Sequence, residues 1–254
     1  MKKLFGFILL LVLVVSCNIN QYQKLPDGTI RKPEIVNEYF SVPADSMIIK
    51  CQDLHGFGPL SIGKTTFSEA SKLRDIFPYE SNKNSFYSTY GLWGTGEYDI
   101  AKRLEKNQSI KRLESAISFK IGELKFNKIT LAFYNDILVA IAFDPEYEDQ
   151  ILNYYIGKFG NGDGHRIIKD YFYKDYTKDK YYHNVEHTWY NNNVKFTYKE
   201  HVQSGPNIRS RFEEDFLMTD NTGNFEKFLD VLRSVINSAH EQETESIQKS
   251  FDLL

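Results

Sequence analysis

The chain has 254 residues, 41% hydrophobic and 15% aromatic, with 31 Lys and Arg against 34 Asp and Glu, for a formal net charge of −3. That is enough apolar material for one large core or two small ones. The near-neutral, evenly spread charge excludes a strongly basic surface for nucleic acid or anionic lipid.

The N-terminus carries Lys2 and Lys3, an uninterrupted apolar run from Leu4 to Val15, and then Ser16-Cys17. Basic residues, a short apolar stretch and a small residue before a cysteine make up an export signal, and the run is too short to span a bilayer. Leu13-Val14-Val15-Ser16-Cys17 resembles the lipobox of bacterial lipoprotein precursors. The resemblance implies that residues 1–16 are removed as a signal peptide and that Cys17 carries a diacylglycerol on sulfur, with a further acyl chain commonly on its amine. Two or three chains make a durable anchor, because each buried methylene contributes about 0.8 kcal/mol. Loss of Lys2 and Lys3 would lower the charge from −3 by two, to −5. Cys51 would be the one remaining thiol, so no internal disulfide could form, and it reads as a buried, inert thiol. Asn18-Ile19-Asn20-Gln21 lacks the acidic cluster that directs some lipoproteins to the cell surface. The expected location is therefore the cell envelope, on the periplasmic side of the outer membrane.

Residues 17–37 read as the lipidated cysteine and a polar tether without apolar period, whose ends would lie about 25 Å apart as a flexible chain. Residues 38–254 read as a single globular domain. Thr66 and Glu69 form a capping-box pattern that predicts a helix over 66–76, before Pro78. Residues 79–112 give no firm pattern, although Phe86, Tyr90 and Leu92 could alternate in a strand and Ile100, Ala101 and Leu104 could line a short helix. Ala116 to Phe126 reads as a strand beside a hairpin over 129–143, turned at Asn135-Asp136. A two-residue turn pairs Tyr134 with Ile137 and Phe133 with Leu138, and continuing that register sets Ile129, Leu131 and Phe133 against Leu138, Ala140 and Ala142.

Asp144-Pro145-Glu146 has the form of a helix start, an N-cap acid followed by proline, and predicts a helix over 145–159 ended by Gly160. The segment 160–164 offers a sub-boundary but reads more simply as a loop after a helix. A second hairpin is expected over 187–198 around Asn191-Asn192-Asn193, then a strand at 216–219. The last element is a helix over 224–239, whose Phe225, Phe228, Leu229, Leu232, Val235 and Ile236 follow the i, i+3, i+4, i+7 rule. Meandering strands with interspersed helices predict an α+β fold, a mainly antiparallel sheet with helices packed on one face.

Three groups of residues resemble functional motifs. Gly58, Gly63, Lys64 and Thr65 have the phosphate-loop spacing. An exported protein meets essentially no ATP or GTP, however, and Pro59 removes one amide that would cup phosphate, so the match reads as coincidence and no nucleotide or other cofactor is expected. His183, Glu186 and His187 have the spacing of the inverted zinc-protease signature, which requires a helix. Tyr181, Tyr182, Val185, Thr188, Trp189 and Tyr190 favour a strand instead, in which the two histidines stand about 13 Å apart, too far for one metal. No metal is expected. Tyr171, Tyr173, Tyr176, Tyr182 and Trp189 lie in the densest aromatic stretch and are the candidate contact surface, with a filled core as the plainer explanation of the same rings.

Together these features predict a lipid-anchored envelope lipoprotein that binds another envelope protein, a peptide or a glycan without catalysis, and neither nucleic acid nor nucleotide. Two alternatives fit the same features. One is a metal-dependent hydrolase of envelope polymers using His183, Glu186 and His187; the other is an inhibitor or immunity-like protein.

Overall fold

The computed structural model describes residues 23–24, 30–31, 35–77, 84–88, 93–115, 118–121, 123–171, 180–205 and 208–251. Cys17 and the expected signal peptide lie outside the described residues, as do Tyr90 and Leu92.

The protein is an α+β structure with 31% helix and 42% strand. Thirteen strands, β1 (Gln23–Lys24), β2 (Ile30–Arg31), β3 (Ile35–Phe40), β4 (Gly56–Phe57), β5 (Leu60–Ser61), β6 (Ile110–Ser115), β7 (Phe119–Ile121), β8 (Leu124–Tyr134), β9 (Ile137–Pro145), β10 (Asp163–Tyr171), β11 (Lys180–Tyr190), β12 (Val194–Gly205) and β13 (Ile208–Asp220), are described. The helices are α1 (Ala44–Lys50), α2 (Phe67–Ala70), α3 (Tyr98–Lys106), α4 (Glu148–Phe159) and α5 (Asn224–Phe251). Nine strands form one sheet in the order β3-β10-β11-β12-β13-β9-β8-β6, with β7 on β8; β1 with β2 and β4 with β5 form two small ribbons. Part of the stretch expected as a tether is thus built into β1, β2 and the start of β3.

The chain falls into two compact units. One comprises Met1–Phe40, Gly164–Glu186 and Lys199–Glu214; the other comprises Ser41–Asp163, His187–Tyr198 and Asp215–Leu254. In the first, β3 pairs antiparallel with β10, Gly164 opposite Phe40 and Lys169 opposite Ile35.

The second unit has a helix-covered sheet centred on β8 and β9. Asn135 and Asp136 both adopt positive φ, 48° and 69°, as a tight hairpin turn demands. Tyr134 faces Ile137 and Phe133 faces Leu138, as the turn predicts, but a bulge then shifts the register, so Ala132 faces Ala140, Leu131 faces Ile141 and Ile129 faces Phe143. The simple continuation is therefore corrected. On the side of β9 away from β8, Gly63 N donates to Leu138 O (2.8 Å) and Leu138 N donates to Thr65 O (2.9 Å). Val139 is the extra residue, lying between the paired Leu138 and Ala140, and such an insertion bends the strand and increases its local twist.

Alternation divides the second unit's core between two faces of the sheet. On one face Ala132 and Ala140 pack with Ile100, Ala101 and Leu104 of α3 and with Phe228, Leu232 and Ala239 of α5. On the other, Phe143 stacks on Phe57 (4.5 Å), Phe216 (5.4 Å) and Phe196 (6.0 Å), and Tyr155 of α4 meets Phe196 at 4.3 Å. Helices therefore cover both faces, not one. An apolar stripe on each helix meets an apolar sheet face, and β8 and β9, buried on both sides, need cover on both.

Element ends also differ from expectation. The Thr66–Glu69 capping box forms, but α2 stops at Ala70. Lys72 N then bonds to Glu69 O and Leu73 N to Ala70 O, tighter i→i−3 turns that lead Ile76 and Phe77 into the core. Asp144 and Pro145 do not begin a helix: they pair with Lys128 and Phe126 as the end of β9, and α4 starts at Glu148 with Tyr147 as its N-cap. The longer β8 gives these residues ladder partners, and pairing overrides the capping pattern. Helix α5 runs well past Ala239, which is buried, and residues 240–245 are exposed.

Candidate binding site

A concavity among the described residues lies wholly within the second unit. It has a volume of about 350 Å³ and is walled by the β4–β5 hairpin, the facing ends of β7 and β8, and α4. The hairpin pairs Gly56 with Ser61 and Phe57 with Leu60 across a turn at Gly58-Pro59. Gly58 has φ +57°, and a Cβ there would stand 3.3 Å from Ile121 Cδ1, so glycine at this turn serves both conformation and space. Phe57 is held by Phe143 and by the edge of Phe126, 5.0 Å away.

Helix α4 presents Ile151, Tyr154, Tyr155, Lys158 and Phe159 to the cavity, residues three and four apart that fall on one helical side. Tyr155 and Phe159 are buried, whereas Tyr154 is 57% exposed, its ring edge-on to Tyr155 at 5.4 Å. The Lys158 ammonium stands over the Phe159 ring at 5.0 Å. Burial pushes the Tyr155 phenol far above its ordinary range, so it stays neutral. Polar groups sit at the mouth: Asp53, Lys158 and His55, whose Nδ1 lies 2.6 Å from Asp53 O. A largely apolar, ring-lined cavity of this size with a few polar groups at its opening has the character of a small-ligand or side-chain pocket.

The phosphate-loop-like segment is a hairpin and a turn. Ile62 N donates to His55 O, Gly63 N to Leu138 O, Lys64 N and Thr65 N to Ser61 O, and Thr66 N to Glu69 Oε2. These five amides are committed to protein acceptors. Thr65 Oγ1 accepts from Ser61 N at 2.8 Å.

The three zinc-protease-like residues lie on strand β11. His183 Nδ1 is 3.0 Å from Glu200 Oε1, Glu186 faces Lys199 at 3.7 Å, and His187 is buried with Nδ1 2.8 Å from Asn161 O. Each side chain thus serves its own local partner.

Of the expected contact surface, Tyr173 and Tyr176 lie outside the described residues, as does the side chain of Tyr171. Tyr182 is half-buried, its hydroxyl accepting from Asn184 Nδ2 at 3.2 Å and its ring edge-on to His201 at 5.4 Å. Trp189 is fully buried and donates from Nε1 to Gly160 O. It is a core residue, which removes it from any surface. Cys51 is a buried free thiol whose pKa is raised by burial.

Sequence reasoning placed Tyr155 and Phe159 on the packed side of a helix but did not find the pocket. Its other wall, Leu54 to Gly58, is too short to show a period. Comparison of the chain with protein-family models, with curated proteins and with solved structures finds no match.

Proposed function

We propose that this protein is a lipid-anchored envelope lipoprotein, attached through Cys17 on the periplasmic side of the outer membrane, that binds an envelope protein, peptide or glycan without transforming it. The observation that carries the binding role is the pocket between Phe57 and α4. Its walls are apolar and its mouth holds one carboxylate, one ammonium and one imidazole, a composition suited to seating an apolar or ring-bearing group while polar atoms orient the rest of the ligand. Exposed Tyr154 extends the ring surface beyond the cavity. The anchor is supported by the lipobox resemblance of residues 13–17.

Two experiments test the two halves. Growth with labelled palmitate should label the wild-type protein but not Cys17→Ala, and an unlabelled wild type would refute the anchor. For the pocket, amide NMR spectra of the folded domain can be recorded with muropeptides, with outer-membrane oligosaccharides and with envelope peptides. One class should shift the amides of residues 53–58 and 151–159, and Tyr154→Ala should weaken it about 2- to 10-fold. Silence of those amides towards all three classes would remove the binding reading.

A further inference from the structure

Away from the pocket, the second unit brings three metal-ligating side chains from two helical elements to one place. Glu97 is the N-cap residue of α3, yet its side chain makes no capping bond. It approaches α5 instead, its Oε1 3.7 Å from His240 Nε2. Glu243, one turn further along α5, lies 4.0 Å from the other ring nitrogen. One imidazole nitrogen and one oxygen from each carboxylate fall within 4.8 Å of one another. We propose that Glu97, His240 and Glu243 form a binding site for a divalent transition-metal cation of the zinc type.

The donor set selects the cation. Two carboxylates supply the charge that balances a divalent ion, while the imidazole suits zinc and its neighbours over calcium or magnesium, which take oxygen ligands. Donors about 2.0–2.2 Å from a tetrahedral ion stand roughly 3.3 Å apart. The three donors must close by up to about 1.5 Å, and because all three are exposed their torsions can turn without displacing a packed neighbour.

The backbones that carry the donors are well held. Leu104 and Ala101 of α3 and Ala239 of α5, next to His240, share one buried cluster, and Arg103 donates to Gln242 Oε1 at 2.8 Å across the two helices. The remaining positions of the ion would be open to water or to a ligand atom from a partner, so the site can act as a clasp between α3 and α5 or as a contact point.

The test is isothermal titration of the metal-stripped full chain in detergent with zinc sulfate, repeated in millimolar calcium and magnesium. One zinc per chain should bind in the micromolar range in both conditions. His240→Ala and Glu97→Gln should each weaken binding by about tenfold or more, with circular dichroism unchanged because both side chains are exposed. His55→Ala should bind zinc as the wild type does. Absence of one-to-one binding, displacement by calcium or magnesium, or binding that survives either His240→Ala or Glu97→Gln would overturn the proposal. Because these residues are remote in sequence from the pocket lining, the pocket experiments stand or fall separately.

Discussion

The Trp189 indole donates from Nε1 to the carbonyl of Gly160, 2.7 Å away, linking a β11 side chain to the residue that ends α4. The same indole lies parallel to His187, centroids 5.5 Å apart, and stacks on Phe196 at 5.4 Å. Trp189→Phe retains a ring but strands a carbonyl, and should cost about 1–3 kcal/mol. Trp189→Ala should cost about 3–5 kcal/mol. Urea denaturation of both variants checks this, and an unchanged midpoint for Trp189→Phe would show the hydrogen bond to be unimportant.

Asn191 is the hub of the β11–β12 turn. Its Nδ2 donates to Cys51 O and Leu54 O, both at 2.7 Å, and its Oδ1 accepts from Asn193 N and Val194 N. All four groups lose their partner in Asn191→Ala, which should cost on the order of 3 kcal/mol. Asn191→Asp keeps the acceptor but turns a second oxygen toward two carbonyls, so it should be at least as harmful by thermal melting.

At the β8–β9 turn, Asn135 and Asp136 hold positive φ. Asn135→Gly should leave stability within about 0.5 kcal/mol, because glycine reaches this region freely. Asn135→Val should cost about 1–2 kcal/mol from crowding of its Cβ. Equal melting temperatures for the two would contradict the turn geometry.

Arg112 is buried beside Glu114 and donates to Ser85 O at 2.9 Å, while Lys128 reaches Glu114 at 3.1 Å. Burial lowers the Arg112 pKa, and Glu114 opposes that effect. Arg112→Met should destabilise by about 1–3 kcal/mol, since Ser85 O loses its donor and Glu114 is left with Lys128 as its cation. Adding Glu114→Leu should recover part of the loss, and a double variant no better than the single one would reject this pairing.

Glu69 has its pKa held below the ordinary value of 4.5, first by the Thr66 backbone N–H and then by the Thr66 hydroxyl. A depressed carboxyl contributes stability above its unfolded pKa and loses it as pH falls through the folded one. The capping box should therefore be intact above about pH 4.5 and weaken below it. Carbon-detected NMR titration should place the Glu69 midpoint under 4.5, and Glu69→Gln should lack this acid-dependent component. A midpoint at or above 4.5 would mean that the box is not closed in solution.

The zinc titration and the pocket spectra address function directly. They test separately the two proposed contact points, one apolar and ring-lined, the other ionic.

Local patterns in the sequence carried much of this fold. Asn135-Asp136 between β-rich runs determined a hairpin and its first two pairs; Thr66 with Glu69 determined a capping box; the apolar stripe from Phe225 to Ile236 determined a helix. Each depends on neighbours a few residues apart, so each was legible before any fold was known. The tertiary structure decided what depends on distant partners. Leu138 bonds to residues 63–65, Pro145 ends a strand because β8 extends far enough to pair with it, and Trp189 is buried because Gly160, Tyr155 and Phe196 surround it. The pocket lining and the Glu97–His240–Glu243 group belong to the same class. Phe57 meets α4, and Glu97 meets His240, only after the sheet has folded, and no period or spacing along the chain records a meeting between residues so far apart.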